Sequence, residues 1–530
     1  MGLWAKSVLI FNAIRTHGQQ SVRGLAERIG LSKSSVHRHL QAMERQARYP
    51  AAALWETEAG RTWLIRLMVA TLFVFGLKRG VGAETLSEFL GRLRLDAHVG
   101  CSPSALRAVM HRLERLLLET AAAWEQDGIA HGEIRPVIGA VDETFLQRMM
   151  LVCMDLATGY VLMEEVTADR SFDTWYARAN DRLTTLGTEV LYLVSDRAKA
   201  LIKLAHTGLG CPSIPDLFHL SHDLAKSYSL AIFGRLRYAK RDLEHAQQRL
   251  ETWQQNAQAK RVHLEQGQAR VAACATTLNH WQGVGRAWRQ RLSNLSHILH
   301  PWRLADSTRQ TSKEVEAQLG TELEAIETLL EANGLPMNQA TLAKVRKQLA
   351  GISALVDVWW QTVRQDLTQL AMTPRWTQGA EDVLLPLMYW QEQRRRTRHR
   401  GQKAQIALVL QAVEEAFERH ARTQQLTPEV LAGWKAWAAE HAKAFQRASS
   451  AVEGRNGSLS QMQHNHRGLP MRRYQVWTVL HNFDGRAADG TTPASRFFRR
   501  SFPDLFERVL SQIDELPMPR QRRQAIAPSN

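Results

Sequence analysis

The stretch Pro136-Val-Ile-Gly-Ala-Val-Asp142 decides the fold of this chain. It is a short β-rich apolar run that ends in an acid, and Val190-Leu-Tyr-Leu-Val-Ser-Asp196 repeats the arrangement 54 residues later (196 − 142 = 54). Runs of this kind are typical of strands buried on both faces. A carboxylate at the end of a buried strand is costly unless it is paired or bound to a metal. The repeat therefore predicts two aspartates on neighbouring strands, although either one alone also fits a turn aspartate after an edge strand.

The periodicity on either side of these runs predicts a mixed sheet flanked by helices. The predicted order is three strands, helix, strand, helix and strand, over residues 137–141, 149–154, 161–166, 172–186, 190–194, 197–206 and 213–218. This order is the pattern of a ribonuclease-H-like α/β core with a mixed five-stranded sheet. His219 follows the last predicted strand. There a satisfied core histidine is the favoured interpretation, and a residue that faces the site is the alternative.

A third acid lies far along the chain, in Ser449-Ser-Ala-Val-Glu-Gly-Arg-Asn456. The two serines are predicted to cap a helix that carries Glu453 in its first turns. Two aspartates from buried strands and a glutamate from a helix suit two hard divalent cations, which activate a nucleophile and stabilise a leaving oxygen in phosphodiester chemistry. An exposed helix glutamate is the simpler interpretation of Glu453, and spacing alone also admits Glu381 or Glu392 as the third acid.

Residues 1–60 are predicted to form a helix-turn-helix DNA-binding domain. Residues 21–29 give a short amphipathic helix, Gly30-Leu31 a turn, and residues 33–43 a second helix capped by Ser32. The outward positions of the second helix carry side chains suited to phosphates and base edges in a major groove. These are Ser34, Ser35, His37, Arg38 and Gln41. A helical hairpin used only for packing is the alternative.

Residues 61–130 are predicted to form a second, helix-turn-helix-like DNA-binding domain. A helix over 83–93 is followed by a longer turn, and Ser102 with Pro103 begins the next helix. That helix has a basic face, from which DNA contacts are expected at Arg107, His111 and Arg112. A solvated helix face explains the same pattern.

Residues 223–445 are predicted to form an all-α insertion. Leucine and similar residues keep a seven-residue spacing from Leu236 to Leu278, but the companion positions are small or mixed, which favours a helical hairpin over a long zipper. A basic run in the insertion suits phosphate contacts through Arg394, Arg395 and Arg396. The predicted core then comprises residues 131–222 and 446–498, and a basic tail follows over 499–530.

The chain has 530 residues, more than one core usually holds, and a formal net charge of +16. A chain this basic most often binds a polyanion, and nucleic acid is the first candidate. Its four cysteines form no CxxC pair, which argues against a zinc knuckle or a disulfide framework. The first residues lack the features of a signal peptide, and the apolar stretch 63–77 is short for a membrane span and contains Arg66. We therefore expect a cytoplasmic, nucleoid-associated protein with no membrane partner.

At the three acids the chain resembles the DDE-type transposases of bacterial insertion sequences. These enzymes carry one Asp on the first strand, a second after the fourth strand and a Glu on a later helix. Two further strings, His481-Asn-Phe483 and Thr491-Thr-Pro-Ala494, resemble the endings of the same enzymes. The resemblance covers residues 136–222 and about 446–498. One departure is the 257 residues between Asp196 and Glu453 (453 − 196 = 257), which makes the helical segment an insertion.

The resemblance implies two Mg²⁺ (or Mn²⁺) ions per active site, held by Asp142, Asp196 and Glu453. It implies partners as well: double-stranded DNA, both as terminal inverted repeats and as target, with a homodimer or higher oligomer on the DNA. Lys199 and Arg455 are expected to contact the scissile phosphate, and Asn456 to orient Glu453. A catalytically inactive DNA-binding protein derived from a transposase and a ribonuclease-H-fold DNA nuclease are the alternatives.

Overall fold

The computed structural model of the chain describes residues 3–18, 20–47, 55, 57–130, 134–146, 148–256, 258, 260–370, 374–420, 425–464 and 471–518. It divides into two compact units. One unit contains Met1–Glu133, Glu164–Val166 and Asn456–Asn530, and the other contains Ile134–Met163 and Thr167–Arg455.

The N-terminal helices are α1 (Leu3–His17), α2 (Val22–Ile29) and α3 (Lys33–Ala47). Gly30 ends α2 in the left-handed conformation, with φ of 66°, which a residue without a Cβ adopts at low cost. The three helices share one small core, into which the apolar positions of α3 point as predicted. Its members include Ile10, Leu25, Val36, Leu40 and Met43.

Three further helices follow in the same unit: α4 (Glu58–Thr71), which continues as a π-helix over Leu72–Lys78, α5 (Ala83–Arg92) and α6 (Pro103–Ile129). By length and composition, one helical stretch among the described residues, Glu58–Lys78, is apolar enough to cross a membrane. Half of that apolar window is buried inside the fold, and Met68, Leu72 and Leu77 are core residues. Core packing therefore accounts for its hydropathy.

The sheet belongs to the other unit, except for Glu164–Val166 of its third strand. Its elements are β1 (Arg135–Leu146), β2 (Arg148–Asp155), β3 (Val161–Thr167), α7 (Phe172–Thr185), β4 (Thr188–Ser195), α8 (Lys199–Lys203), which continues as a π-helix over Leu204–Gly208, and β5 (Ser213–Pro215). The strand order is β3-β2-β1-β4-β5. β1 is antiparallel to β2 and parallel to β4, and β4 is parallel to β5. The predicted mixed five-stranded sheet is therefore confirmed.

Two details of the sheet differ from the predictions. β5 ends at Pro215, not at residue 218, because the Asp216 carboxylate accepts a hydrogen bond from the Phe218 amide (2.8 Å) and starts a helix there. β1 does not end at Asp142, because its antiparallel pairing with β2 continues to Leu146. Asp142 instead follows the last residue of β1 that pairs with β4, which is Ala140.

Helices occupy almost all of the described chain from 217 to 444. They are α9 (Leu217–Gln255), α10 (Arg261–Ile298), α11 (Ser312–Ala332), α12 (Gln339–Gln369), α13 (Pro374–Gly379), α14 (Leu385–Arg396), α15 (Arg400–Arg419) and α16 (Pro428–Ala444). α9 and α10 form the hairpin that the heptad spacing predicted. Their antiparallel course is clear from contacts near both ends: Trp253 packs on His263, and the Trp288 indole N–H donates to Ser229 Oγ (3.0 Å).

The chain ends with α17 (Ser450–His464), α18 (Met471–Phe483), α19 (Pro493–Phe497) and α20 (Leu505–Leu510). In the first unit, α18 packs on α6 through a buried ion pair, in which Arg473 lies 2.6 Å from Glu114. The Arg520–Arg523 cluster of the predicted basic tail lies outside the described residues.

Candidate active site

Three aspartates occupy one level of the sheet, at the carboxyl ends of the parallel strands. The register pairs Ala140 of β1 with Val194 of β4, and Val194 with Ile214 of β5. Two residues further along each strand are Asp142, Asp196 and Asp216. Neighbouring strands lie about 4.8 Å apart, so the backbones of the three acids are adjacent. Asp216 was not selected from the sequence, since the predicted strand ran through it.

Asp142 has an environment that opposes its ionisation. Burial, followed by the nearby carboxylates of Glu453 and Glu143, raises the pKa of Asp142 to about 7. A hydrogen bond from the Glu143 amide to Asp142 Oδ1 (2.9 Å) and the positive charge of His219 act in the opposite direction. The charges of Asp142 and Glu453 therefore lie near enough to influence each other, although 311 residues separate them (453 − 142 = 311).

The segment before α17 explains how Glu453 reaches Asp142. The Tyr192 hydroxyl of β4 donates to the Ala444 carbonyl (2.6 Å) and accepts from the Gln446 amide (2.8 Å). Tyr192 is fully buried, so these bonds attach the chain firmly to the parallel part of the sheet. The prediction that the Ser449 side chain caps α17 is wrong. Its hydroxyl donates to the buried Asp216 carboxylate, which fixes the start of α17 against β5.

His219 links Asp216 to Glu453. Its Nδ1 lies 2.8 Å from Asp216 Oδ2, and its Nε2 lies 3.5 Å from Glu453 Oε1. The hydrogen bond to Asp216, and then the charges of Asp216, Glu453 and Asp142, raise the pKa of His219 to about 9. The imidazolium form, which donates from both nitrogens, is thus favoured at neutral pH. The favoured interpretation of a core histidine is wrong, because one third of the His219 side chain is exposed and it faces Glu453.

Asp196 lies beside this group in the backbone, but its carboxylate is directed elsewhere. It is exposed, and its Oδ1 accepts a hydrogen bond from the Ala198 amide (2.8 Å) across a turn in which Arg197 has φ of 66°. Within the part of the chain that the structure describes, no three His, Cys, Asp or Glu side chains are grouped to hold a metal ion. The structure therefore brings Asp142, Glu453 and His219 together and leaves the Asp196 carboxylate outside the group.

The alternative third acids are engaged elsewhere. Glu381 lies 2.6 Å from Arg309 and 3.4 Å from Arg364. The buried Glu392 forms ion pairs with Arg395 (2.7 Å) and with the next arginine along the helix (2.5 Å). Glu453 is thus the acid among these three that shares an environment with Asp142.

The predicted phosphate contacts near the acids have different surroundings. Lys199 is exposed at the start of α8, and Arg394 is exposed at the end of α14. Arg395 and Arg396 hold Glu392, so their charges are partly neutralised. Arg455 is 5% exposed, which places its side chain in the interior and not on a surface that DNA reaches. The proposed phosphate contact by Arg455 therefore has no support from its position.

Asn456, predicted to orient Glu453, is also buried, at 8% exposure. It lies three residues after Glu453 in α17. Its predicted role stays a prediction.

The helix-turn-helix presents the side chains that the sequence selected. Ser34, His37 and Arg38 are exposed on α3, and Ser35 and Gln41 are partly exposed. Arg38 Nε donates to the Ser34 carbonyl (3.1 Å), and Gln41 Nε2 lies 3.1 Å from His37 Nε2. These contacts lie along the helix surface and leave this face of α3 accessible to a groove.

The second predicted DNA-binding face makes intramolecular contacts. Arg107 forms an ion pair with Glu84, His111 Nδ1 lies 3.1 Å from Glu114, and Arg112 donates to the Gln512 carbonyl (2.8 Å). These contacts favour the alternative, in which this basic face serves the fold.

Comparison with known families gives two matches. Residues 5–46 match the IclR helix-turn-helix domain, and residues 380–525 match a family of unknown function (DUF6399). No curated protein and no solved structure matches the chain. The chain therefore has an IclR-type helix-turn-helix DNA-binding domain at its N terminus and a DUF6399 domain near its C terminus.

Proposed function

We propose that the chain is a DDE-type transposase that binds the terminal inverted repeats of its element and catalyses DNA strand cleavage and strand transfer. The observation that carries this proposal is the approach of Glu453 to Asp142 across 311 residues of chain. A buried carboxylate whose pKa is raised by a second carboxylate in an accessible group is typical of a functional site. The strand order and the positions of Asp142 and Asp196 on β1 and after β4 support a ribonuclease-H-like core.

The helix-turn-helix supplies the DNA-binding part of the proposal. Its exposed α3 residues suit a major groove, and the net charge of +16 favours contact with phosphates. Recognition of the terminal repeats, the target DNA and the assembly of a dimer or higher oligomer belong to the proposal.

The donor set fits a divalent cation in part. Asp142 and Glu453 fit, because a hard cation would offset both the burial and the Glu453 charge that raise the pKa of Asp142. Asp196 fits only by its backbone position, since its carboxylate bonds to the Ala198 amide. Asp142 and Glu453 are thus the residues that would hold Mg²⁺ or Mn²⁺, with Asp196 on the adjacent strand end. Such ions, when bound, activate the attacking oxygen and stabilise the leaving one.

His219 and Asp216 position the Glu453 side chain in this site. The buried Asp216 fixes the His219 ring through Nδ1, and His219 Nε2, 3.5 Å from Glu453 Oε1, then restrains Glu453. A restrained carboxylate loses less entropy when it binds a ligand, so the pair prepares Glu453 for its role.

A second candidate function is a catalytically inactive DNA-binding protein derived from a transposase. The direction of the Asp196 carboxylate favours it, because a site that lacks its third acid has little activity. The two candidates make opposite predictions for strand cleavage and the same prediction for DNA binding.

The test is strand cleavage of a labelled duplex that contains the inverted repeats flanking the coding region. The reaction contains about 5 mM Mg²⁺ or Mn²⁺ at neutral pH. The wild type is expected to nick the repeat end and to join it to a second duplex. Asp142→Asn, Asp196→Asn and Glu453→Gln are expected to lose cleavage by at least about 100-fold while they retain affinity for the repeat. Glu429→Gln is the matched control, because Glu429 is an exposed glutamate in the first turn of α16, as Glu453 is in α17.

Each outcome separates the candidates. Cleavage without joining would assign a nuclease, and binding without cleavage by the wild type would assign the inactive DNA-binding protein. Full cleavage by one of the three variants would remove that residue from the site. Loss of binding in His37→Ala/Arg38→Ala, with an unchanged melting temperature, tests the helix-turn-helix separately.

A further inference from the structure

One face of the α9–α10 hairpin is strongly basic. Between Asp223 and Asp242 the sequence of α9 contains no acidic residue, and α10 contains none after Glu265. In the same part of α9 lie the exposed side chains of Lys226, Arg235, Arg237, Lys240 and Arg241. Positive charge of this density favours an anionic partner.

Three of the basic side chains on the outer face of α9 are not neutralised within the described part of the fold, whereas Lys240 lies 3.8 Å from Glu244. Among the described residues, no carboxylate forms an ion pair with Lys226, Arg237 or Arg241. Exposed arginines elsewhere in the helical region behave differently. Arg261, Arg346 and Arg419 each lie within 2.9 Å of a glutamate.

The same face has a groove with apolar and aromatic walls. A cleft of about 510 Å³ is lined by residues of α9 and α10, among them Leu230, Gly234, Tyr238 and Trp281. Leu230 is 75% exposed and Tyr238 is 61% exposed, and Arg241 lies over the Tyr238 ring at 4.8 Å. Arginine held over an exposed aromatic ring presents its charge in a fixed place, which suits phosphate contacts.

α9 connects this face rigidly to the candidate active site. His219 is in the first turn of α9, and Leu230 and Arg241 lie 11 and 22 residues further on (230 − 219 and 241 − 219). At 1.5 Å per residue, Lys226 lies about 10 Å along the helix from His219, Leu230 about 16 Å and Arg241 about 33 Å. The span from Lys226 to Arg241 is about 22 Å, which is the axial rise of about six base pairs.

From these observations we propose that the outer face of α9, from Lys226 to Arg241, binds the phosphate backbone of duplex DNA, as a second DNA-binding surface in addition to the helix-turn-helix. The charge favours a nucleic acid over a protein partner, and the shared helix places the duplex next to the candidate active site. The inference goes beyond the proposed function and does not require catalysis, because it concerns equilibrium binding alone.

The test measures the affinity of the full chain for a 30-base-pair duplex of random sequence at several salt concentrations, by fluorescence anisotropy. The Asp142→Asn background excludes cleavage, so failure of the catalytic proposal leaves this test intact. The test variant is Lys226→Gln/Arg237→Gln/Arg241→Gln. The control variant, Arg261→Gln/Arg346→Gln/Arg419→Gln, removes the same charge from residues that are already paired with glutamates.

The test variant is expected to bind about tenfold more weakly at 0.15 M salt, and the slope of log K against log salt is expected to become shallower by about 2.7, or about 0.9 for each lost phosphate contact. The control variant is expected to change the slope by less than about 1. Equal changes in both variants would reveal a bulk charge effect and overturn the proposal. An unchanged slope in the test variant would also overturn the proposal. If Leu230→Glu abolished self-association without changing DNA affinity, the face would instead bind a second copy of the chain, and the proposal would be overturned.

Discussion

Replacement of Asp142 by asparagine is expected to stabilise the metal-free protein, and more so as the pH rises. Burial and the Glu453 carboxylate raise the pKa of Asp142 from 3.8 to about 7, so ionisation of Asp142 is unfavourable in the folded state. Asparagine has nearly the same shape and no charge to bury. If Asp142 has a functional role, we expect it to destabilise the fold in this way, because functional residues are often kept at a cost in stability.

The sign follows from proton linkage. The pKa of Asp142 is higher in the folded state than in the unfolded state. Between pH 3.8 and 7, Asp142 therefore keeps its proton in the folded state and has lost it in the unfolded state. The stability that this proton contributes is complete below pH 3.8 and is lost as the pH rises through 7. The free energy that separates the two pKa values is about 4 kcal/mol, at 1.36 kcal/mol per pKa unit. Since Asp142 is partly exposed, solvent screening reduces the expected gain of the variant to about 2 kcal/mol at pH 8.5 and about 1 kcal/mol at pH 5.5.

The assay is urea denaturation in EDTA at both pH values, followed by tryptophan fluorescence. Asp181→Asn is the control, because Asp181 is an exposed aspartate in α7, and its effect is expected to stay within about 0.5 kcal/mol at both pH values. Glu453→Gln is expected to give a smaller gain that also grows with pH, because burial remains the larger cause of the raised pKa of Asp142. A gain that is equal at the two pH values, or a loss of stability at pH 8.5, would refute the reasoning.

Three further predictions concern the parts that position the sites. Gly30→Ala is expected to destabilise the helix-turn-helix by about 1–2 kcal/mol, because residue 30 has φ of 66°. Gly24→Ala, inside α2, is expected to stabilise it instead. Hydrogen exchange of the α2 and α3 amides distinguishes the two variants. Arg473→Met is expected to cost about 3–5 kcal/mol, because it leaves the fully buried Glu114 with the partly exposed His111 as its remaining partner. Glu114→Leu in the same chain is expected to restore most of that loss in thermal denaturation. Tyr192→Phe is expected to reduce cleavage more than DNA affinity, because it removes the two hydrogen bonds that attach the start of the Glu helix to β4; equal losses in both assays would contradict this role.

The central sheet was predictable because each strand has a clear pattern in its own short stretch of sequence. The runs that end in Asp142 and Asp196 are apolar at consecutive positions, as strands buried on both faces require. Their separation of 54 residues is also the offset between paired residues of β1 and β4, as in Ala140 and Val194. The equal offset places the two acids at one level of the sheet. The direction of the Asp196 carboxylate was not predictable, because it depends on the turn at Arg197.

The end of β5 could have been found from a local signal that was overlooked. Asp216 precedes Leu217-Phe-His219 and a long stretch of helical periodicity, which is the pattern of an N-cap. With the strand ended there, Asp216 falls at the level of the other two aspartates, and His219 falls one helical turn above it. The pair that supports Glu453 is thus contained in four consecutive residues.

The position of Glu453 could not be derived from local sequence, because contacts with distant residues determine it. α17 is held at the sheet by the hydroxyls of Tyr192 and Ser449, and neither bond has a signature in the residues around Glu453. Resemblance identified the acid, and physical proximity now supports it: Glu453 raises the pKa of Asp142 and contacts His219. The remaining step to a complete site is small in distance, since the backbone of Asp196 is already next to that of Asp142. The proposed three-acid site would therefore require a change in the turn after β4 that releases the Asp196 carboxylate from the Ala198 amide.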